Sequence, residues 1–212
     1  MKLYLSSYRI PVLDKFVQLV GKPVEDISIA LLPNAKDYYA PRAKAYKIKD
    51  ILAYHESKGL QHTDVVDLLN HRNPMMLKQE LSDYDAVWAV GGNTFCLRQE
   101  IRRSGLENIL MELLEHGLVY GGDSAGAVVV GQSLHGIDSV DIPEFSEEPI
   151  YDGLGLIDEV VLPHSDNDFF AEANQAVRDQ HQSANITELS DAQALIIDGA
   201  SREIVTTDTP EL

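Results

Sequence analysis

The regular alternation of two kinds of segment constrains the fold more than any other feature of this sequence. Through the first two-thirds of the chain, short apolar runs typical of buried strands are followed by segments whose apolar residues recur at helical spacing. The predicted strands here are residues 1–6, 26–33, 62–67, 85–90 and 118–121, and the predicted helices are residues 14–19, 41–58, 73–81, 95–103 and 105–116. This alternation predicts an α/β fold of three layers, in which helices cover both faces of a mostly parallel sheet.

The last third of the chain has a different pattern. A polar, acidic segment from His135 to Asp152 predicts a long surface excursion that lies outside the core. It is followed by a predicted helix at residues 168–182 and by predicted strands at residues 186–189, 194–197 and 203–206. Asp198-Gly199 is typical of a hairpin turn, which predicts antiparallel strands near the C-terminus. Because no internal repeat or linker-like break interrupts the 212 residues, we expect residues 1–212 to form a single domain.

The charge balance argues against several classes of partner. The formal net charge is −17, which disfavours nucleic acids and anionic membranes as partners. Cys96 is the only cysteine, so no disulfide can form within the chain, and a reducing compartment is favoured. The first residues lack the apolar core of a signal peptide, and no run of about 18 apolar residues is present. We therefore expect a cytoplasmic protein, and a homodimer is one assembly that the sequence leaves open.

A short glycine-rich motif carries the clearest chemical signal. The residues from Gly122 to Gly126 read Gly-Asp-Ser-Ala-Gly, directly after the predicted strand at 118–121. This is a G-x-S-x-G pattern, in which a serine lies on a sharp turn between a strand and a helix with its hydroxyl exposed. An ordinary glycine-rich turn with a solvent-facing serine is the alternative. Ser124 is the candidate nucleophile.

A serine nucleophile needs a neighbouring general base, and His164 is the best candidate. It directly follows the apolar run Val160-Val-Leu-Pro163, so it is expected at the end of a strand. Ligands of open α/β sheets bind outside the carboxyl ends of the strands, where the loops at residues 33–34, 91–94 and 163–166 are also expected. The other histidines lie in helical, peripheral or acidic contexts.

The carboxylate that would orient His164 is less clearly marked. Asp191 follows the predicted strand at 186–189 and precedes another strand, so it is the preferred candidate. Four other carboxylates remain open as alternatives: Glu188, Asp166, Asp138 and Asp141.

The oxyanion that forms during acyl transfer needs N–H donors held in place. The amide of Ala125, immediately after Ser124, is one candidate. The second is expected from Gly92 or Asn93, in a Gly-Gly turn whose backbone can approach a substrate closely. The Gly-Gly turn lacks the later glycine of a dinucleotide-binding fingerprint, and the chain has no P-loop motif. The chain has a single cysteine and no H-E-x-x-H motif, so a zinc site has little support. We expect no metal and no cofactor.

Three motifs together resemble a known family. Val90-Gly-Gly-Asn-Thr-Phe-Cys-Leu97, Tyr120-Gly-Gly-Asp-Ser-Ala-Gly-Ala127 and the pair Gly153-Leu-Gly-Leu with Leu162-Pro-His164 occur in the order seen in the S51 serine peptidases. That family includes aspartyl dipeptidase (peptidase E) and the cyanophycinases. The resemblance implies a fold like the class I glutamine amidotransferases, which is flavodoxin-like, with serine in place of their cysteine.

The resemblance also implies roles for individual residues. It places the nucleophile on Ser124, the catalytic histidine on His164 and the acidic residue near Asp191, where aspartyl dipeptidases have a glutamate. The order Ser, His, Asp along the chain differs from the order in α/β-hydrolases. Arg178 corresponds in position to the arginine that holds the N-terminal aspartate of the substrate in aspartyl dipeptidases, and the residues around it differ from that pattern. A small-peptide substrate, with a preference for N-terminal aspartate, is what the resemblance implies.

Three hypotheses about function follow. The first is a serine peptidase that acts on small peptides through Ser124, His164 and Asp191. The second is a binding or regulatory protein of the same fold that lacks a productive triad. The third is a hydrolase of a non-peptide amide, although the serine at position 124 argues against glutaminase chemistry.

Overall fold

The computed structural model describes residues 1–207, and residues 208–212 of the predicted domain lie outside the described part. The strands are β1 Lys2–Ser6, β2 Ser28–Leu32, β3 His62–Val65, β4 Ala86–Ala89, β5 Val119–Asp123, β6 Val160–Leu162, β7 Ile186–Glu188, β8 Gln193–Asp198 and β9 Ser201–Thr206. The helices are α1 Leu13–Val20, α2 Pro41–Ser57, α3 Pro74–Leu81, α4 Thr94–Ser104, α5 Leu106–Glu115, α6 Ala125–Val128 and α7 Ala171–Gln180. None of these helices of residues 1–207 is long and apolar enough to cross a membrane.

The main sheet has seven strands in the order β3-β2-β4-β5-β1-β8-β9. The first five strands of this order run parallel to one another. β8 pairs antiparallel with β1, and β9 pairs antiparallel with β8 across the turn that begins at Gly199. The predicted α/β fold and its antiparallel C-terminal strands are therefore confirmed. The sequence did not indicate that β6 and β7 leave the main sheet and form a separate parallel pair.

An aromatic cluster fills the core on one face of the main sheet. The ring of Trp88 lies 5.9 Å from the ring of Tyr4 and 5.6 Å from the ring of Phe16, the latter edge to face. His55 lies against the same indole at 6.0 Å. Because Phe16 belongs to α1 and His55 to α2, these two helices cover this face.

The opposite face carries the short helix that follows the serine turn. Since side chains alternate along a strand, Tyr120 points away from the Trp88 face, and its hydroxyl donates a hydrogen bond to the carbonyl of Gly126 at 2.8 Å. A Cβ on Gly126 would lie 2.0 Å from the carbonyl oxygen of Ala89. Only glycine therefore lets α6 approach β4 this closely, and the turn at Ser124 is held between the two layers.

The acidic segment from residue 135 to residue 152 lies mostly at the surface, as expected, but some of its residues turn inward. It forms short 3-10 turns over the carboxyl edge of the sheet, and Ile137 and Ile150 are buried. The carboxylate of Asp141 accepts a hydrogen bond from the amide of Thr94 at 2.7 Å, at the start of α4. Part of the segment thus forms a wall of the site, because Ile137, Val140 and Asp141 line the recess beside Ser124.

Candidate active site

Ser124 lies at the end of β5 in a strained backbone conformation. Its φ of 49° and ψ of −112° are rare for any residue other than glycine. The turn is nonetheless well held, since the amide of Ser124 donates to the carbonyl of Ser6 at 3.1 Å. A strained serine between a strand and a helix is the geometry that the G-x-S-x-G pattern predicts, and it points the hydroxyl out of the turn.

The hydroxyl of Ser124 meets the imidazole of His164, which in turn meets Asp191. Oγ of Ser124 lies 3.2 Å from Nε2 of His164, and Nδ1 of His164 lies 2.5 Å from Oδ1 of Asp191. An ionised carboxylate can only accept, so Nδ1 carries the proton in this contact and Nε2 is left to accept from the serine hydroxyl. The three residues therefore form one continuous line of hydrogen bonds.

His164 is fixed by contacts on several sides. It follows Pro163 at the end of β6 with a φ of 57°, another strained position. Its ring stacks on Phe170 at a centroid distance of 4.5 Å, and its carbonyl accepts from Nδ2 of Asn174 at 3.1 Å. These contacts hold the imidazole in the plane that reaches both partners.

Ser7 is a site residue that the sequence analysis missed. Its hydroxyl accepts a hydrogen bond from the amide of His164 at 2.7 Å and donates one to Oδ1 of Asp191, also at 2.7 Å. The side chain is fully buried. Ser7 directly follows β1, whose carboxyl end adjoins that of β5, but this position alone does not identify it. No motif distinguishes this serine from any other residue at the end of a strand.

The other carboxylates considered from the sequence have different partners. Oδ1 of Asp166 accepts the amide of Asp191 at 3.1 Å, which supports the loop that carries Asp191. Asp138 is near the hydroxyl of Tyr151, at 3.5 Å. Asp141 lies at the start of α4, as described above. The carboxylate that contacts His164 is that of Asp191.

Glu188 and Arg178 are engaged with each other. Nε and an Nη of Arg178 donate to the two carboxylate oxygens of Glu188 at 2.8 and 2.9 Å. This bidentate pair joins α7 to β7, and Arg178 is not among the residues that line the recess beside Ser124. The guanidinium of Arg178 is therefore paired with Glu188, and Arg178 lies outside the recess in this structure.

Two of the backbone amides considered as oxyanion donors have no acceptor within the described residues. Among residues 1–207, the amides of Ala125 and Gly92 donate no hydrogen bond to another protein group. Gly92 has a φ of 147°, and a Cβ there would lie 2.3 Å from the carbonyl oxygen of Ala35. Glycine is therefore required at this position both for the backbone conformation and for the close approach.

Asn93, the other candidate in this turn, is used by the protein itself. Its amide donates to the carbonyl of Ala35 at 2.8 Å, and its side-chain oxygen accepts from the amide of Cys96 at 3.0 Å, which caps α4. Its side-chain nitrogen donates to the carbonyl of Ile142 at 2.9 Å. Of the two alternatives for the second oxyanion donor, Gly92 is the one with an unused N–H.

The carboxylate of Asp123 holds the Gly91-Gly92 turn through a hydrogen bond to its backbone. It accepts from Nε1 of Trp88 at 2.9 Å and from the amide of Gly91 at 3.1 Å. Burial raises the pKa of Asp123, an effect that these two hydrogen bonds and the nearby charge of Lys36 only partly offset. A buried carboxyl thus links the core tryptophan to the backbone beside Ser124.

The recess next to Ser124 is small and mostly apolar. Its volume is about 30 Å³, and Val128, Leu162 and Phe170 contribute to its wall.

Cys96 is buried, and burial raises the pKa of its thiol to about 12. The thiol is therefore protonated at neutral pH and a poor nucleophile. Within the described residues, no group of three His, Cys, Asp or Glu side chains is arranged to hold a metal ion.

Fold and site together define an α/β protein with a serine, a histidine and a carboxylate in the relation that hydrolases use for acyl transfer. Comparison with known families is consistent with this class. The model of peptidase family S51 matches residues 4–205. The chain belongs to peptidase family S51, which is a family of serine peptidases.

Curated relatives carry peptidase names. An uncharacterized peptidase of Pasteurella multocida is 25% identical over 209 residues, which cover 96% of each chain. An uncharacterized peptidase of Listeria innocua is 35% identical over 124 residues, so the match spans only 58% of that relative and 58% of this chain. Peptidase E of a Shewanella species is 34% identical over 104 residues, which are 49% of this chain and 42% of the relative.

Solved structures agree on the fold. The crystal structure of a candidate peptidase E of Listeria monocytogenes superposes with a TM-score of 0.83 at 25% identity and covers 98% of both chains. The structure of a peptidase from an acI-B1 actinobacterium superposes with a TM-score of 0.74 at 16% identity and covers 97% of this chain and 87% of that one. The second likeness concerns the fold alone.

Proposed function

We propose that this protein is a serine peptidase that hydrolyses small peptides through Ser124, His164 and Asp191. Membership of family S51 supports peptidase activity in general. The observation that carries the finer proposal is the unbroken line of hydrogen bonds from Asp191 through His164 to the hydroxyl of Ser124. The amides of Ala125 and Gly92, which have no acceptor among residues 1–207, support it further.

The proposed reaction begins when Oγ of Ser124 attacks the carbonyl carbon of the scissile amide. Nε2 of His164 takes the hydroxyl proton, and Asp191 stabilises the imidazolium that forms. The amides of Ala125 and Gly92 donate to the oxyanion of the tetrahedral intermediate. His164 then gives its proton to the leaving nitrogen, and an acyl-enzyme remains on Ser124.

Water completes the proposed cycle. His164, now neutral, accepts a proton from a water molecule as that water attacks the acyl-enzyme carbonyl. Collapse of the second tetrahedral intermediate releases the carboxylate product and returns the proton to Ser124. Apart from the substrate and water, every step uses groups of the chain itself, so the proposal includes no metal and no cofactor.

The preference for N-terminal aspartate is the finer part of the proposal. Its candidate anchor, Arg178, makes a bidentate pair with Glu188, so binding a substrate aspartate there requires that this pair open or that the substrate add to it. A cytoplasmic location also belongs to the proposal, supported by the single, buried cysteine.

Hydrolysis of a dipeptide panel tests the proposal. Purified protein is incubated with acidic and neutral dipeptides, and release of free amino acids is followed over time. We expect turnover by the wild type, loss of turnover by a factor of roughly 10⁴ or more in Ser124→Ala, and full turnover in Ser201→Ala, a matched change on the exposed strand β9. Steady hydrolysis by Ser124→Ala would rule out the mechanism.

A further inference from the structure

A second, larger cavity opens beside the Ser124 turn, on the α1 and α2 side of the sheet. Its volume is about 220 Å³, and Gly91 and Asp123 form the part of its wall that faces the reaction centre. A Cβ placed on Gly91 would lie 3.0 Å from Cβ of Ser124, so this wall is in contact with the candidate nucleophile. The cavity therefore adjoins the site while lying outside the recess lined by His164.

Lys36 lines this cavity, and none of residues 1–207 is a partner for its charge. It follows β2 and is partly buried. Within residues 1–207, its ammonium group makes no hydrogen bond and no ion pair. Burial lowers the pKa of Lys36, and the charges of Asp123 and Asp141 act in the opposite direction without contacting it. A partly desolvated ammonium without an acceptor is costly, and a bound anion would remove that cost.

Two more cations face the same cavity. The guanidinium of Arg9 lies over the ring of Tyr54, 4.5 Å from the ring centroid. It also makes a long ion pair with Asp50, with 3.4 Å between Nη2 and Oδ2. Lys47 is near enough to Lys36 for its charge to lower the pKa of that residue. Arg9 also has a φ of 49°, and Oγ of Ser6 donates to its carbonyl, so a strained backbone position aims this side chain.

The balance of charge in the cavity is positive at neutral pH. Asp50 and Asp123 are its carboxyl groups, and burial raises the pKa of Asp123. His55 is neutral there, because burial lowers its pKa to about 4. A cluster of three cations, Arg9, Lys36 and Lys47, is unexpected in a chain whose net charge is −17, and it favours an anionic ligand.

We propose that this cavity is a substrate subsite in which Lys36 binds a carboxylate of the peptide, assisted by Arg9 and Lys47. The proposal rests on the proposed peptidase function, since a peptide is the ligand expected next to Ser124. A peptide offers this group from two sources, its C-terminal carboxylate and an acidic side chain. A volume of about 220 Å³ suits a chain end or one side chain and is too small for a folded partner. Arg178 takes no part in this subsite, because it does not line the cavity.

Binding measurements on protein that cannot turn over separate this proposal from the proposed chemistry. All proteins carry Ser124→Ala, and calorimetry measures the affinity for Asp-Leu, Asn-Leu and the C-terminal amide of Asp-Leu. Lys36→Met removes the charge at nearly constant volume, Lys36→Arg keeps it, and Lys49→Met is the matched control, since Lys49 is exposed on α2 and does not line the cavity.

We expect Lys36→Met to weaken the binding of Asp-Leu by roughly 10- to 100-fold, the value of a hydrogen bond to a charged group. Lys49→Met should leave it unchanged, and Lys36→Arg should keep most of it. Asn-Leu will bind less tightly than Asp-Leu if the subsite takes the side chain, and the amide of Asp-Leu will do so if it takes the chain end. In either case Lys36→Met abolishes that difference.

Three results would overturn the subsite. They are equal binding by the Lys36→Met and Lys49→Met proteins, equal binding of all three peptides to the parent protein, and no measurable binding of any peptide. If hydrolysis depends on Ser124 but Lys36→Met does not change binding, the subsite proposal is wrong and the peptidase proposal stands. If binding depends on Lys36 but the wild type hydrolyses none of the peptides, the subsite proposal stands and the peptidase proposal is wrong.

Discussion

The hydroxyl of Ser7 lies 2.7 Å from Oδ1 of Asp191 and 2.7 Å from the backbone nitrogen of His164. It therefore joins the two loops that carry the histidine and its carboxylate, which come from β6 and from the approach to β8. Oδ1 of Asp191 is shared between this hydroxyl and Nδ1 of His164. Ser7 acts as a positioning residue in our account, since it touches neither the nucleophile nor the reacting carbonyl.

We expect Ser7→Ala to lower kcat by about 10- to 100-fold with little change in KM, because it removes a hydrogen bond to a charged group in the triad. Steady-state kinetics on a cleaved dipeptide measure both constants. Ser104→Ala is the control, since Ser104 is equally buried and its hydroxyl bonds only within α4 and to the residue that starts α5. A rise in KM at constant kcat, or equal losses in the two variants, would argue against this role.

Asp191→Asn should lower kcat by roughly 10³- to 10⁴-fold, because an amide nitrogen facing Nδ1 favours the wrong tautomer of His164. Asp166→Asn is a matched change one loop away, and it keeps an oxygen that can accept the amide of Asp191. That variant should stay within a few-fold of the wild type. The reverse order of effects would place the triad carboxylate elsewhere.

Gly92→Ala should lower kcat/KM by roughly 10²-fold or more by displacing an oxyanion donor. It should also lower the melting temperature, because the new Cβ would meet the carbonyl oxygen of Ala35 at 2.3 Å. Gly21→Ala is the control, since Gly21 also has a positive φ, of 85°, with open space around it. Its strain costs about 1–2 kcal/mol of stability. Normal turnover by a folded Gly92→Ala protein would exclude Gly92 as a donor.

His55 should make the folded state sensitive to acid. Burial lowers its pKa from 6.5 to about 4, so below pH 6.5 the unfolded chain takes up a proton that the folded chain does not. The stability that neutral His55 contributes is complete above pH 6.5 and is lost as the pH falls from 6.5 towards 4, by an amount on the order of 3 kcal/mol.

Urea unfolding of the wild type, His55→Gln and His62→Gln at pH 7 and pH 4.5 isolates this effect, because all three share the same carboxylates. The wild type and His62→Gln, which changes an exposed histidine, should lose more stability between the two pH values than His55→Gln. Equal losses in all three proteins would show that His55 is protonated in the folded state.

Local patterns in the sequence were enough to predict most of the fold. Apolar runs and helical spacing predicted the parallel strands, and Asp198-Gly199 predicted the turn between β8 and β9. The departure of β6 and β7 into a separate pair could not be predicted, because it depends on packing between segments that are distant in the chain. Asp141 was considered as a site carboxylate, but its hydrogen bond with the amide of Thr94 could not be predicted for the same reason.

The candidate site was predicted unevenly. Ser124 and His164 stood out because each follows an apolar strand and carries a recognisable neighbour, glycine or proline. Lys36 could not be recognised, because what distinguishes it is the absence of a charge partner among the described residues. Ser7 could not be recognised, because what distinguishes it is its hydrogen bonds to Asp191 and His164. Such relations arise from three-dimensional neighbours and leave no spacing in the sequence.

The measurement that tests the central claim most directly is covalent labelling of Ser124 by a fluorophosphonate probe, followed by intact-mass analysis and peptide mapping. An activated serine reacts with such a probe, and an unactivated one does not. We expect one adduct per chain on Ser124 in the wild type, none in Ser124→Ala and a greatly reduced rate in His164→Ala. Absence of an adduct in the folded wild type, or an adduct at the same rate without His164, would contradict the proposed nucleophile and leave a binding protein of the same fold.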